Sequence, residues 1–187
     1  MFKHMTNRLK AGIGRLRRSD TGASAVEFAL VAGPFFYVLG CICETGLMLF
    51  TEYVMQNAVQ EAGRLVRTGQ AASATGTPIL TADQFKASIC DRVSAIIDCN
   101  GKVSVYVNNA TNFSTLATAV PNPVTIGKKA DGTVYTVVYS PGKTLQAATV
   151  IATYDWYFAF PFMNFLGNFD SDKARRIYGL AIFQNEP

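Results

Sequence analysis

Few residues in this chain have the type and placement to do chemistry. One carboxylate, Glu27, stands where an apolar run opens at Phe28, a position where an unpaired charge is expensive to hold in lipid. Two cysteines, Cys90 and Cys99, are close enough in sequence to close a loop of about ten residues. The only histidine is His4, inside a basic terminus, so the folded part cannot build a Ser-His-Asp triad, a Cys-His pair or a histidine metal site. Asp155, Asp170 and Asp172 leave carboxylate-only chemistry open, but they sit at no telling spacing. The expectation is a non-enzymatic protein with no cofactor and no metal site.

The elements around these residues follow from charge and hydropathy. The chain has 187 residues, is 49% hydrophobic and has a mean hydropathy of +0.17, and much of the excess lies between Ala25 and Phe50. Before Ala23 there are six cations (Lys3, Arg8, Lys10, Arg15, Arg17, Arg18) and one anion, Asp20; taken from totals of 17 and 13, they leave 11 basic and 12 acidic residues. A nucleic-acid-binding domain spreads its basic residues over a folded surface, so no nucleic acid is expected as a partner, and no small-molecule substrate either. From Phe28 to Thr51 there are 24 residues with one charge, Glu44. As a helix this run spans roughly 36 Å, enough for a hydrocarbon core of about 30 Å. The cations before it, with Glu52 and Glu61 after it, put the N-terminus in the cytoplasm and the rest beyond the membrane. A cleaved secretory signal is the rival, but the apolar run is too long for one and no A-x-A site follows it.

The run flows into "TEYVMQNAVQEAGRLVRTG", in which Val54, Ala58, Ala62, Leu65 and Val66 share one helical face. Gly69 is a C-terminal stop. One helix from Ala23 to Thr68, roughly 70 Å long, is therefore expected, with its first half in lipid and its second half packed on a soluble domain. Gly33-Pro34 is expected to bend or loosen it, because proline removes a backbone donor and clashes one turn back.

The stretch "GASAVEF", a glycine, four residues and a glutamate between a basic leader and an apolar helix, resembles the type IV prepilin processing site. The resemblance implies that a membrane aspartyl peptidase cuts between Gly22 and Ala23, making Glu27 fifth and Phe28 sixth in the mature chain. Glu44-Thr45-Gly46, Asn57-Ala58, Ala62-Gly63-Arg64, Arg67-Thr68-Gly69-Gln70, "FKASICDRVSAIIDC" and the end "FQNEP" are further similar to TadE-like pseudopilins of the tight-adherence (Flp) pilus system. Gln184 departs from the arginine expected in F-R-N-E-P, which puts a terminal contact in doubt. Major subunits of that system are much shorter, so the length implies a minor or accessory pilin. The implied partners are other pilins of the same pilus, the prepilin peptidase, the inner-membrane assembly platform and membrane lipid.

Past a small, polar linker, "QAASATGTP", Thr81 and Gln84 form a capping-box pattern, and Phe85, Ile89, Val93, Ile96 and Ile97 share a helical face. Cys90 sits on this helix and Cys99 just beyond it. Outside the cytoplasm the pair is expected to be oxidised; two separate buried thiols are the alternative. Cys41 and Cys43 fall on different faces of the lipid-embedded helix and read as small apolar residues. Strands are expected at Lys102 to Asn108, Thr133 to Ser140, Thr149 to Phe160 and Arg175 to Gln184, and residues 109 to 132 read as a long exposed loop with at most one short edge strand. In "TYDWYFAFPFMNF" strand alternation explains most of the aromatics, while Pro161 to Leu166 is expected to be exposed and is the better interaction candidate.

The whole reads as an α+β protein: a long N-terminal helix, transmembrane in its first half, with a small antiparallel β-sheet head packed on its C-terminal half. The divisions are a leader at 1–22, a transmembrane helix at 23–51, its continuation at 52–69 and an exported domain at 70–187. The expected role is a minor pilin in assembly or initiation of an adhesive Tad/Flp pilus, in the bacterial inner membrane with a periplasmic head or in the surface filament. Glu27 and Glu44 are the candidate subunit-assembly carboxylates, Glu44 also reading as a residue near the far headgroups. The alternative is an uncleaved, single-pass anchored scaffold or receptor that binds an extracytoplasmic partner.

Overall fold

A computed structural model describes residues 22–99, 102–126, 138–168 and 174–187. The chain divides into two units, one ending at Cys43 and one formed by Glu44–Pro187. Helix α1, Ala23–Arg67, runs through Pro34 without interruption. In the first unit its large apolar side chains face outward; Val26, Phe28, Leu30, Val31, Phe35 and Phe36 are 60% to 71% exposed. A helix apolar on all sides must be covered by something other than its own chain. Among the described residues, α1 is the one helix long and apolar enough to cross a membrane.

In the second unit α1 turns amphipathic. Met55, Ala58, Val59, Ala62 and Val66 are buried, while Gln60, Arg64 and Arg67 stay outside. The helix ends in a Schellman motif. Gln70 N–H donates to Leu65 O (2.9 Å) and Gly69 N–H to Val66 O (3.2 Å), with Gly69 at φ +74°, a left-handed position that glycine takes without steric cost.

Helix α2, Ala82–Val93, starts on the expected capping box, Gln84 N–H donating to Thr81 Oγ1 and Thr81 N–H to Gln84 Oε1. Phe85, Ile89 and Val93 are buried. Ile96 and Ile97 lie past the helix end, so the expected shared face stops at Val93: Ile97 turns inward, and Ile96 is 39% exposed.

Strands β1 (Val103–Ala110), β2 (Ala147–Tyr157) and β3 (Ala174–Gln184) form one antiparallel sheet in the order β1-β2-β3. Its register sets Val105 opposite Ala152 and Ala152 opposite Gly179. Val103, Val105, Val107, Ala148, Val150, Ala152 and Ala181 therefore line the face that packs with α1 and α2. One expectation changes here and one is described only in part. Of the second expected strand, residues 133–137 lie outside the described residues; Val138–Ser140 contributes a parallel bridge, Tyr139 to Val107. The loop expected at 109–132 instead holds helix α3, Phe113–Ala119, and a 3-10 turn, Pro123–Thr125. From these elements Leu116 packs on Ala110 and Ala147, and Ile126 on Tyr106 and Ile151, covering the second face of the sheet. Residues 127–132 lie outside the described residues.

Helix and sheet meet most closely at Gly179. A Cβ there would sit 2.8 Å from Met55 O and 2.8 Å from Val59 Cγ2. Beside it the Gln56 side chain acts as a strand in miniature, its Nε2 donating to Leu180 O and its Oε1 accepting from Leu180 N–H, both at 2.8 Å. That satisfies part of an exposed sheet edge. Gly179→Ala places a methyl against a backbone oxygen that cannot yield, and overpacking of this kind costs about 1–3 kcal/mol. The full chain in detergent should lose several degrees of thermal midpoint by circular dichroism; an unchanged midpoint would show that the close approach is not needed.

Candidate functional site

Gly22 is half-buried in a 3-10 turn immediately before α1, and the helix proper begins at Ala23. The residues that follow, "ASAVEFAL", are mostly good helix formers with no acidic residue in the first turn. Glu27 and Phe28 are both exposed, Phe28 at 71%, and Glu27 has no ion-pair partner among the described residues. The expected processing residues thus fall within the opening turns of one helix. Residues 1–21, which carry the leader, lie outside the described residues.

Glu44, seventeen positions further on, is in a different situation. It is 7% exposed, and its carboxylate accepts the backbone N–H of Ala159 at 2.6 Å and that of Phe160 at 3.4 Å. Two amides at the end of β2 thereby hold a carboxylate of α1, and charge-assisted bonds of this kind are about twice as strong as neutral ones. Sequence reasoning missed this contact. Its partners are main-chain groups of an aromatic run 115 residues away, which no side-chain pattern announces.

Cys90 and Cys99 form a disulfide, with Cα atoms 5.9 Å apart. A loop this short contributes about 2–3 kcal/mol in the chain-entropy account. Cys41 and Cys43 are not disulfide-bonded. Asp155, one of the three aspartates left open for carboxylate chemistry, is committed to Arg176, whose Nε and Nη2 donate to Oδ1 and Oδ2 at 2.5 and 2.8 Å. Arg176 is 2% exposed and also donates to Val124 O and Ile126 O, so the pair fastens the 113–126 segment to the sheet. Asp170 and Asp172 lie outside the described residues. On the edge of β1, beside Phe85, burial pushes the Tyr139 phenol above its ordinary 10.0.

The C-terminus closes the second unit. Asn185 Nδ2 donates to Pro141 O and Lys143 O, Glu186 N–H caps Arg67 O at 2.8 Å, and the Glu186 carboxylate pairs with Arg67 at 3.2 Å. Gln184, where an arginine was expected, makes its own contact, Nε2 to Leu145 O at 2.8 Å.

Residues 22–64 match the family described as TadE-like protein. The match covers 43 of the 187 residues and falls almost wholly on the long helix. The matched segment opens at Gly22 and takes in Glu27, Glu44 and the Asn57 to Arg64 motif, the region on which the resemblance was strongest. This similarity points to a pilin-like protein associated with a Tad pilus, and the apolar start of the matched helix is consistent with a membrane anchor. No curated protein and no solved structure gives a match to the chain.

Arg176→Met keeps the length of the side chain but removes the donor to Asp155 and to Val124 O, and leaves Ile126 O only its bond from Thr153 Oγ1. Removing one partner of a buried pair costs about 3–5 kcal/mol. The thermal midpoint of the full chain should therefore fall by well over that of Gly179→Ala, whereas an equal or smaller drop would make the pair dispensable.

Proposed function

We propose that this protein is a minor pilin, cut by the prepilin peptidase between Gly22 and Ala23, that helps to initiate or build a Tad/Flp pilus and has no catalytic role. The observation that carries the reading is the start of α1: the helix begins at Ala23, directly after Gly22, with Glu27 exposed one turn in. The family match opening at Gly22 supports it.

Cleavage removes a leader of net charge +5 and creates an ammonium at Ala23. That ammonium lies at the positive end of the helix dipole, with no acidic residue in the first turn to offset it. Glu27 is four residues along, the spacing that places two groups on the same helix face. The new amine of the same chain or of a neighbouring subunit then supplies the cation that Glu27 lacks, in a medium where either charge alone is costly. Only a cut chain has this amine, so processing and assembly become linked. The helix first holds the chain in the inner membrane, with the head on the periplasmic side, and then packs among other pilins at the assembly platform.

Electrophoresis of membrane fractions with and without the peptidase should show a loss of about 2.4 kDa, the share of 22 residues in a 187-residue chain of 20.3 kDa, and N-terminal sequencing of the product should begin at Ala23. A native chain still beginning at Met1, with a fully working Gly22→Leu variant, would favour the uncleaved anchored scaffold instead. Glu27→Leu should leave membrane insertion and cleavage intact and abolish incorporation; normal pili in that variant would remove the pairing.

A further inference from the structure

From Trp156, at the end of β2, to Phe169 the chain carries no charged residue. Its middle is a 3-10 turn, Pro161–Leu166. Residues three apart eclipse one another in this geometry, so Phe162 and Phe165 point the same way. Both are 69% exposed, with ring centroids 5.7 Å apart, while Met163 between them is 3% exposed and anchors the turn inward. Two adjacent phenylalanines left in water on a charge-free loop are a surface awaiting an apolar cover.

The position of the loop indicates what that cover is. Ala159 and Phe160, the two residues before the turn, are bound by the carboxylate of Glu44. Glu44 follows Cys43, where the first unit ends, and outward-facing apolar side chains continue beyond it on α1 at Leu47, Leu49 and Phe50. The loop is therefore tied to the last turns of the apolar run, which ends at Thr51, and exposed phenylalanines beside such a run can bury in the headgroup–acyl boundary of a bilayer. We propose that the Phe162–Phe165 turn is a membrane-interface anchor: its two rings enter the headgroup region of the outer face of the membrane, and Glu44 is the clamp that holds the turn there. The carboxylate itself stays shielded, its negative charge answered by backbone amides rather than by lipid. The proposal needs the membrane span but neither the cleavage nor the pilus.

The full chain, carrying Trp156→Phe to remove the one native indole and Phe162→Trp to report on the turn, is reconstituted in phosphatidylethanolamine–phosphatidylglycerol vesicles. The acyl chains are brominated either near the headgroup or near the chain end. The indole at position 162 should be quenched strongly by the shallow bromines and weakly by the deep ones, and Phe165→Trp in the same background should behave alike. Leu39→Trp serves as the reference within the span and should be quenched by the deep bromines. Adding Glu44→Ala to the Phe162 reporter should bring shallow quenching down towards that of unbrominated vesicles, whereas Glu44→Gln, which keeps one acceptor oxygen, should retain most of it. Reporters at 162 and 165 that no bromine quenches, with Leu39→Trp quenched, would overturn the anchor and leave the two rings to another protein subunit. Failure of the Leu39→Trp reference would overturn it by removing the span, and unchanged quenching in Glu44→Ala would overturn it by removing the clamp.

Discussion

The second unit depends on how closely α1 can approach β3. Gly179 lets the helix backbone come within van der Waals contact of the strand, and that proximity brings Gln56 onto the edge of β3, where it bonds both main-chain groups of Leu180. The small residues along the same seam, Ala58, Ala62, Gly63 and Ala181, follow from the same constraint, since a larger side chain would push the helix off the sheet. Gly63 makes the point from the helix side: a Cβ there would meet the Phe183 ring at 3.0 Å. With the helix this near, a core of modest aliphatic residues closes around Phe85 and Ile89.

Once that seam is set, both ends of the helical part of the unit need polar closure, and each receives it from β-sheet termini. At the C-terminal end of α1, the Schellman motif uses the carbonyls of Leu65 and Val66, and Glu186 N–H takes the carbonyl of Arg67. Where α1 enters the unit, the amides that follow β2 take the carboxylate of Glu44. Buried polar groups need partners, and here the residues just beyond β3 and just beyond β2 supply them. The C-terminal "FQNEP" is thus a structural closure, with Asn185 bonding the turn around Pro141 and Lys143.

Local periodicity made much of this legible. The period of α1, the Thr81–Gln84 box, the alternation of Val103, Val105 and Val107, and the Cys90–Cys99 pair each write their signal within about ten residues, the range over which caps, faces and short loops are set. Contacts made across the chain left no such mark. Asp155 and Arg176 meet because β2 and β3 are in one register, and nothing in either residue's neighbours says so. The segment 113–126 read as a loop because α3 is short and rich in Thr and Ser, weak helix formers; its burial comes from Leu116 and Ile126, two apolar residues too far apart to show a period.

The two carboxylates of α1 show why position alone does not assign a role. Both interrupt an apolar stretch of the same helix, and the sequence offered both as assembly groups, with Glu44 also reading as a residue near the far headgroups. Glu44 has its hydrogen bonds within its own chain, from amides that the fold brings to it and that exist whether or not the chain is processed. Glu27 has no ion-pair partner among the described residues, and its surroundings on the helix are apolar. A charge already answered by the fold gains little from a second partner, because its desolvation has been offset. A charge that the fold leaves exposed at an apolar surface gains most from a cation delivered from elsewhere. The physical difference between the two sites therefore sets them apart: Glu44 is bonded within the unit it begins, and Glu27 is left exposed, which is what the proposed pairing with an external amine draws on.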